Sequence, residues 1–410
     1  MNGLWKDKRF LLLAGANIAS AIGSGITMIS IPWMLISEKQ GNEIYGYVML
    51  AITVISFFVT PIVGKVVDLF SRKKLLMYGE LAGILIIGSF VVMGWLGIEY
   101  TTWHYIVIIF SGSLYNTLFY PAIFAFIQET FHKDMYKSLN GAMEVQGQFS
   151  SMVAGAVGSV LITAWPLDAI LLMDAITYGV AFCLLISIPY QKRIVMANRE
   201  RASLKEGFTF LHKTPILFFF LFASYMPFIG VMVTNYLFPI YLQKVLHAGA
   251  WAYGMEGMIY SVGAVAAGLF IPIAIKKYSE EKIMVMGVSC SFLALAAILF
   301  SNLPIYLCLM FFIALGNAGT RVARNTYMMK KVPNHIMGRV DSVFRLYGLL
   351  VRMMLIALFT KLVSLGIIVL CTVILSCMML AASISMLMLF GKMEKGIEKE
   401  DLHAAVDASS

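Results

Sequence analysis

The sequence predicts an all-α integral membrane protein, with twelve transmembrane helices arranged as two pseudo-symmetric six-helix bundles. Three observations carry that prediction. Of the 410 residues, 60% are hydrophobic and only 13% charged, where a soluble domain of this size carries roughly 25% charged residues. The apolar residues fall into twelve runs, each long enough to cross a bilayer at about 1.5 Å per residue. The basic residues are segregated. With the N-terminus inside, 27 of the 31 Lys and Arg lie in inner segments, Lys39, Lys244 and Lys361 lie in outer ones, and Arg352 lies within a span. That asymmetry places both termini in the cytoplasm.

The elements follow in order. Met1-Asn-Gly-Leu-Trp-Lys-Asp-Lys-Arg9 precedes an apolar run too long for a signal-peptide core, so the first helix, 10–35, is expected to be retained. Further spans at 44–63, 75–98, 103–128, 138–163 and 166–189 complete a first half of residues 1–190. The connection 191–214 is polar and basic, and Ser203–Lys213 within it has the pattern of an amphipathic helix lying on the inner surface. The second half, 215–390, holds spans at 215–242, 250–275, 283–301, 304–328, 338–362 and 365–390. The tail 391–410 is charged and expected to be disordered. An internal repeat supports the two halves. A shift of 208 lays Lys74–Gly79 on Lys282–Gly287, and a shift of 201 lays Leu139–Glu144 on Val340–Arg345. Charge inverts across this repeat: Asp68 maps to Lys276, Arg72 to Glu280, and Glu144 to Arg345.

The second and third spans are joined by Gly64-Lys-Val-Val-Asp68-Leu-Phe-Ser-Arg72-Lys73-Lys74, with one acid and four bases pinned at a membrane surface. Gly64, Asp68, Arg72 and Lys73 fit the pattern G-x-L-x-D-x-x-G-R-K, from which Val66 and Ser71 depart. Softer patterns are Pro121-Ala-Ile-Phe-Ala-Phe126, Glu206-Gly207-Phe208 and Met337-Gly-Arg-Val-Asp341. On these residues the chain resembles the major facilitator superfamily over nearly its whole length. Within that family it is similar to the bacterial twelve-helix exporter branch of macrolide-efflux and enterobactin-exporter-like transporters. The resemblance implies two bundles around a central cavity, substrate near the midplane, and helices 1, 4, 7 and 10 lining that cavity. It implies that Glu129 pairs with Arg72. It also implies that helix 2 lies near helix 11 and helix 5 near helix 8. Two latches of opposite polarity are then expected, Asp68 with Arg345 and Lys276 with Glu144. With Gly64, Arg72, Lys73 and Glu129, these form the expected gating set.

Polar residues on the cavity helices supply the candidate substrate contacts. Asn17, Ser20, Ser24 and Thr27 recur at intervals of three, four and three, which puts them on one helix face. Asn116 and Tyr120 follow on the fourth span, Tyr225 and Asn235 on the seventh, and Asn317, Arg321 and Arg324 on the tenth. Lipid offers such groups no partner, so they are expected to face a cavity or another helix. Charge inside a membrane is costly, which makes every in-span ionisable residue a functional candidate: Glu80, Glu144, Asp174, Glu256, Arg321, Arg324, Arg345 and Arg352. Glu144 and Glu256, then Asp174, are the proton-carrier candidates, because burial brings a carboxyl group toward neutral pH. The five cysteines lie inside spans without metal-ligand spacing, so no metal site is expected. The chain has no phosphate-binding loop, zinc-protease motif or triad spacing, which argues against an enzyme. The net charge of +9 follows membrane topology rather than a nucleic-acid surface.

The expected function is secondary active export of a small amphiphile across the bacterial cytoplasmic membrane, as a monomer in lipid. A proton gradient is expected to drive it, and no cofactor is expected. The helix-10 arginines, with no embedded acid on helices 1, 4, 7 and 10 apart from the terminal Glu129, favour a siderophore or similar secreted metabolite. Multidrug or macrolide efflux is the alternative. Solute uptake and a non-transporting scaffold or receptor come after it.

Overall fold

The computed structural model describes residues 7–132, 135–190, 204–333 and 336–407. Among the described residues the regular structure is helical. The first half comprises α1 (Lys8–Ser37), α2 (Gly41–Leu69), α3 (Arg72–Trp95), α4 (Thr102–Thr130), α5 (Tyr136–Ala164) and α6 (Leu167–Ile186). A short α7 (Leu204–Lys213) follows, where the amphipathic segment was expected. The second half comprises α8 (Pro215–Lys244), α9 (Ala250–Lys277), α10 (Glu280–Ile298), α11 (Leu303–Lys331), α12 (Met337–Ser364) and α13 (Ile368–Asp407). All but α7 are long and apolar enough to cross a membrane. The helix α13 runs on past the span to Asp407.

The repeat is visible in how helices begin. Ser71 caps α3 by accepting from the Lys74 amide at 3.5 Å. Ser279, 208 residues later, caps α10 by accepting from the Lys282 amide at 3.4 Å. Thr101 and Asn302, 201 residues apart, occupy the cap positions of α4 and α11. An oxygen at each cap satisfies one of the amides that a helix start leaves free.

The chain divides into two compact units. The first is Met1–Ala197 with Tyr236–Val262 and Leu355–Ile368; the second is Asn198–Asn235, Gly263–Met354 and Val369–Ser410. The first unit therefore contains all of α1–α6 together with one end each of α8, α9 and α12. Near the N-terminus its core is built from Phe10, Leu13, Phe126, Ile127, Phe131 and Leu185. At the opposite end the α8, α9 and α12 segments pack in. Gly155 and Gly254 let α5 and α9 touch backbone to backbone: a Cβ on Gly155 would lie 2.6 Å from the Met258 nitrogen. Trp33 stacks on Tyr253, Tyr45 meets Tyr236, and Gln243 donates to Ser37 at 2.8 Å. Lipid tails are as apolar as the side chains, so close packing and hydrogen bonds hold such helices together.

Candidate functional site

The turn between α2 and α3 sits in a polar network at the terminal end of the first unit. Arg72 opens α3 and pairs with Glu129 in the last turn of α4, and the Tyr190 hydroxyl donates to the other Glu129 oxygen. Burial, then this bond, pushes the Tyr190 phenol up to about 12. Lys73 caps the end of α6 by donating to the Ile186 and Ile188 carbonyls at 2.7 and 2.8 Å. Gly64 has open space where a Cβ would stand. The Asp68 side chain lies outside the described ones. In the second unit the mates of Arg72 and Glu129 form the same bridge with signs exchanged: Lys330 donates to Glu280 at 2.6 Å. The sign inversion read at positions 72 and 280 therefore belongs to equivalent bridges, each within its own half. Of the remaining expected gating residues, Lys276 and Glu144 are exposed. Arg345 bonds to Asp341 on its own helix at 2.7 Å.

The polar stripe of α1 turns inward, onto two carboxylates. Ser20 is buried and its hydroxyl lies 3.2 Å from Glu80 Oε2 on α3 and 3.0 Å from the Tyr115 hydroxyl on α4. Tyr115 donates to Glu80 Oε1 at 2.7 Å. One turn pair along α1, Thr27 donates to Asp174 Oδ2 on α6 at 2.6 Å, while Asp174 Oδ1 has no hydrogen-bond partner among the described residues. The Thr177 hydroxyl beside it donates instead to the Asp174 main-chain carbonyl at 2.7 Å. Glu80 and Asp174 are each 1% exposed. Among the described residues neither has a Lys, Arg or His partner. Two glycines make the cluster possible. A Cβ on Gly23 would lie 1.9 Å from Thr177 Oγ1 and 2.8 Å from Asp174 Oδ1. A Cβ on Gly83 would lie 2.9 Å from the Tyr178 ring.

Of the α1 stripe, Ser20 and Thr27 meet acids of neighbouring helices within the first unit, one of the two environments expected for them. Asn17 is also buried, with its amide toward Met143 Sδ at 3.7 Å, and Ser24 donates to the Ser20 carbonyl at 2.7 Å. Among the first-unit candidates Asn116 and Tyr120 on α4 are exposed, with Glu144 on α5 close enough to act on Tyr120. Glu144 bonds to Gln148 at 3.3 Å and is exposed, so it lacks the burial for which it was selected. Glu256 on α9 is half-buried near Tyr253. Asp174 alone of the three proton candidates is deeply buried. Sequence reasoning placed Glu80 among the in-span ionisable candidates but not among the proton carriers, and it did not single out Tyr115 and Tyr178. The signal that could have found them was the α1 stripe itself, which needed partners and could have been matched to the in-span acids.

The second unit corrects the reading of the arginines. Arg324 is 4% exposed; its guanidinium lies 3.5 Å from the centroid of the Tyr225 ring and donates to the Ser224 carbonyl at 3.0 Å. Tyr225 is buried too, stacked on Phe344 and donating to Asp341 Oδ1 at 2.7 Å. These two tie α8, α11 and α12 together. Arg321 is half-buried, Asn317 is buried and Asn235 is exposed.

Comparison with known proteins places this geometry. A family model described as Major Facilitator Superfamily matches residues 13–356. The chain is 22% identical over 275 residues to "Macrolide efflux protein A" of Streptococcus pyogenes, covering 65% of this chain and 66% of that protein, just under two thirds of the relative's length. It is 22% identical over 352 residues to "Multidrug efflux pump Tap" of Mycolicibacterium fortuitum, covering 81% of this chain and 84% of that one. Among solved structures the nucleoside transporter NupG superposes with a TM-score of 0.71 at 14% identity, over 94% of this chain and 99% of that chain.

Proposed function

The chain belongs to the Major Facilitator Superfamily and is a multi-pass membrane transporter, not an enzyme; on that premise we propose that it exports amphiphilic small molecules, and that inward proton movement through the Glu80–Asp174 cluster drives the export. One observation carries the coupling. Ser20, Tyr115 and Glu80 approach one another at 2.7, 3.0 and 3.2 Å. The two hydroxyls hold only two protons between them. A proton on Glu80 supplies the third and completes the triangle. With no cation partner among the described residues, the carboxylates exchange charge by taking up or losing a proton, at a site where an unpaired charge costs several kcal/mol. Alternating access then requires the α5–α9 and Trp33–Tyr253 contacts to part in one half of the cycle.

For the substrate, drug-like amphiphiles now stand ahead of siderophores. Arg324 is occupied inside its bundle, and two embedded acids stand behind α1 and α4, so the argument for an anion loses its main support. The drug and macrolide names of the relatives agree with this order. Both termini inside and the bacterial cytoplasmic membrane remain part of the proposal, on the segregation of bases. The test is efflux from a drug-sensitive host, with proton release from energised inverted vesicles on addition of a macrolide or a dye. Expression should lower accumulation, and Glu80→Gln should abolish the proton signal. Unchanged accumulation would sink the efflux reading. A chelator retained in an iron-limited deletion strain would restore the siderophore.

A further inference from the structure

A cavity of about 600 Å³ lies within the first unit between α3 and α4, with α1 and α6 behind it. Its mouth is apolar and aromatic: Tyr78, Ile86, Trp103, Val107 and Leu114 are all exposed residues of the membrane-spanning helices or their ends. Exposed apolar side chains in a span face acyl chains, so the mouth opens to the lipid. The floor is different. Ser24, Thr27, Tyr115, Tyr178 and Asp174 line it, and Asp174 carries the oxygen that has no hydrogen-bond donor among the described residues. The titratable groups around it are Glu80 from α3, Tyr115 from α4, and Asp174 and Tyr178 from α6, with hydroxyls alone from α1. Among the described residues no Lys, Arg or His lines the cavity.

We propose that this lateral cavity is a binding site for lipophilic cations, amphiphiles with an onium or protonated amine head and an apolar body, which enter it from the membrane and are held by Asp174. The volume lies within the range of small-molecule sites, which are mostly apolar with a few placed polar groups. Aromatic faces attract cations, most strongly where water is excluded. The carboxylate supplies the charge, and the Trp103 and Tyr78 rings line the same cavity. The exposed polar residues Asn116 and Tyr120 of α4 are not among its lining. Its place in transport rests on the efflux reading above, but its occupancy does not.

The experiment measures binding to the full chain in lipid nanodiscs with two probes. Tetraphenylphosphonium is permanently charged. N-phenyl-1-naphthylamine is uncharged at neutral pH and of similar apolar bulk. Ala82 is an exposed lining residue of α3, so Ala82→Trp fills the cavity without entering a packed core. It should weaken both probes at least tenfold. Asp174→Asn should weaken tetraphenylphosphonium at least tenfold and leave the neutral probe within twofold. Unchanged tetraphenylphosphonium affinity in Ala82→Trp would show that the cavity is not the site. Equal losses of both probes in Asp174→Asn would show a packing effect and remove the carboxylate from recognition. Binding without proton-coupled efflux would keep this site and discard the transport reading.

Discussion

Removing Arg72 and removing Lys330 should have very different effects, although the two residues form equivalent bridges. The Arg72 and Glu129 side chains are 12% and 5% exposed; those of Lys330 and Glu280 are 61% and 10% exposed. Breaking a buried pair leaves an uncompensated charge and costs about 3–5 kcal/mol. An exposed pair contributes roughly 0–1 kcal/mol. Helix dipoles widen the contrast. The start of a helix favours acids and its end favours bases, by about 0.3–1 kcal/mol each. Glu280 and Lys330 obey that preference, whereas Arg72 and Glu129 both oppose it, so the first-half bridge survives only through the pairing. Arg72→Ala should therefore lower the thermal midpoint of the purified protein by on the order of 10 °C, at roughly 2–4 °C per kcal/mol for a unit of this size. Lys330→Ala should lower it by no more than about 4 °C. The exchange Arg72→Glu with Glu129→Arg restores the pair and aligns it with both dipoles, and an arginine at 129 would donate to the Tyr190 oxygen where Glu129 accepts from its hydroxyl. It should return to within about 1 kcal/mol of the parent. The assay is differential scanning fluorimetry in one detergent for all four proteins. Equal losses for the two alanine variants, or an exchange no better than Arg72→Ala, would refute the reasoning.

Other outcomes follow from single contacts. Gly23→Ala drives a methyl against Thr177 and Asp174 and should destabilise by about 1–3 kcal/mol. Gly88→Ala, where nothing lies within 4 Å, should gain up to about 1 kcal/mol; thermal melts compare the signs. Gly155→Leu meets backbone atoms of α9. It should part that contact, raise labelling of a Ser37→Cys reporter by an impermeant maleimide in a cysteine-free background, and stop transport. Asp7 caps α1 through the Arg9 amide at 2.9 Å, and the Arg9 side chain holds its carboxyl below the usual 3.8. A depressed folded value means stabilisation that is full above about pH 4 and lost as pH falls through the folded value. The deficit of Asp7→Asn in a pH series of melts should be constant from about pH 5 to 8 and shrink toward zero in acid.

The twelve spans, the amphipathic α7 and the repeat were legible because each rests on information in short stretches of chain: apolar run length, charge segregation and recurring segments. The Arg72–Glu129 pair was legible through a motif. The roles of Ser20, Thr27 and Arg324 were not, because helical spacing says which residues share a face and nothing about what that face meets. Ser20 and Thr27 meet acids from α3 and α6, partners 60 and 147 residues away in sequence. Glu144 and Glu80 are both lone acids in apolar runs, and only packing leaves one exposed and the other 1% exposed.

The buried acids also bear on how the chain is made. Each helix must leave the translocon before it has packed into its bundle, and a central carboxylate then costs about 2.5–3.5 kcal/mol on an insertion scale. The two helices that carry these acids, α3 and α6, are the most apolar spans of the first half, while α1, which brings the hydroxyl partners, is less so. The surplus of Ile, Leu, Val and Phe in α3 and α6 offsets the acid during insertion, until the bundle packs and sets Ser20, Tyr115 and Thr27 against the carboxyl groups. A polar substitution on the lipid-facing side of either helix would then leave the finished protein nearly unaffected and yet lower its yield, because the damage falls on biogenesis.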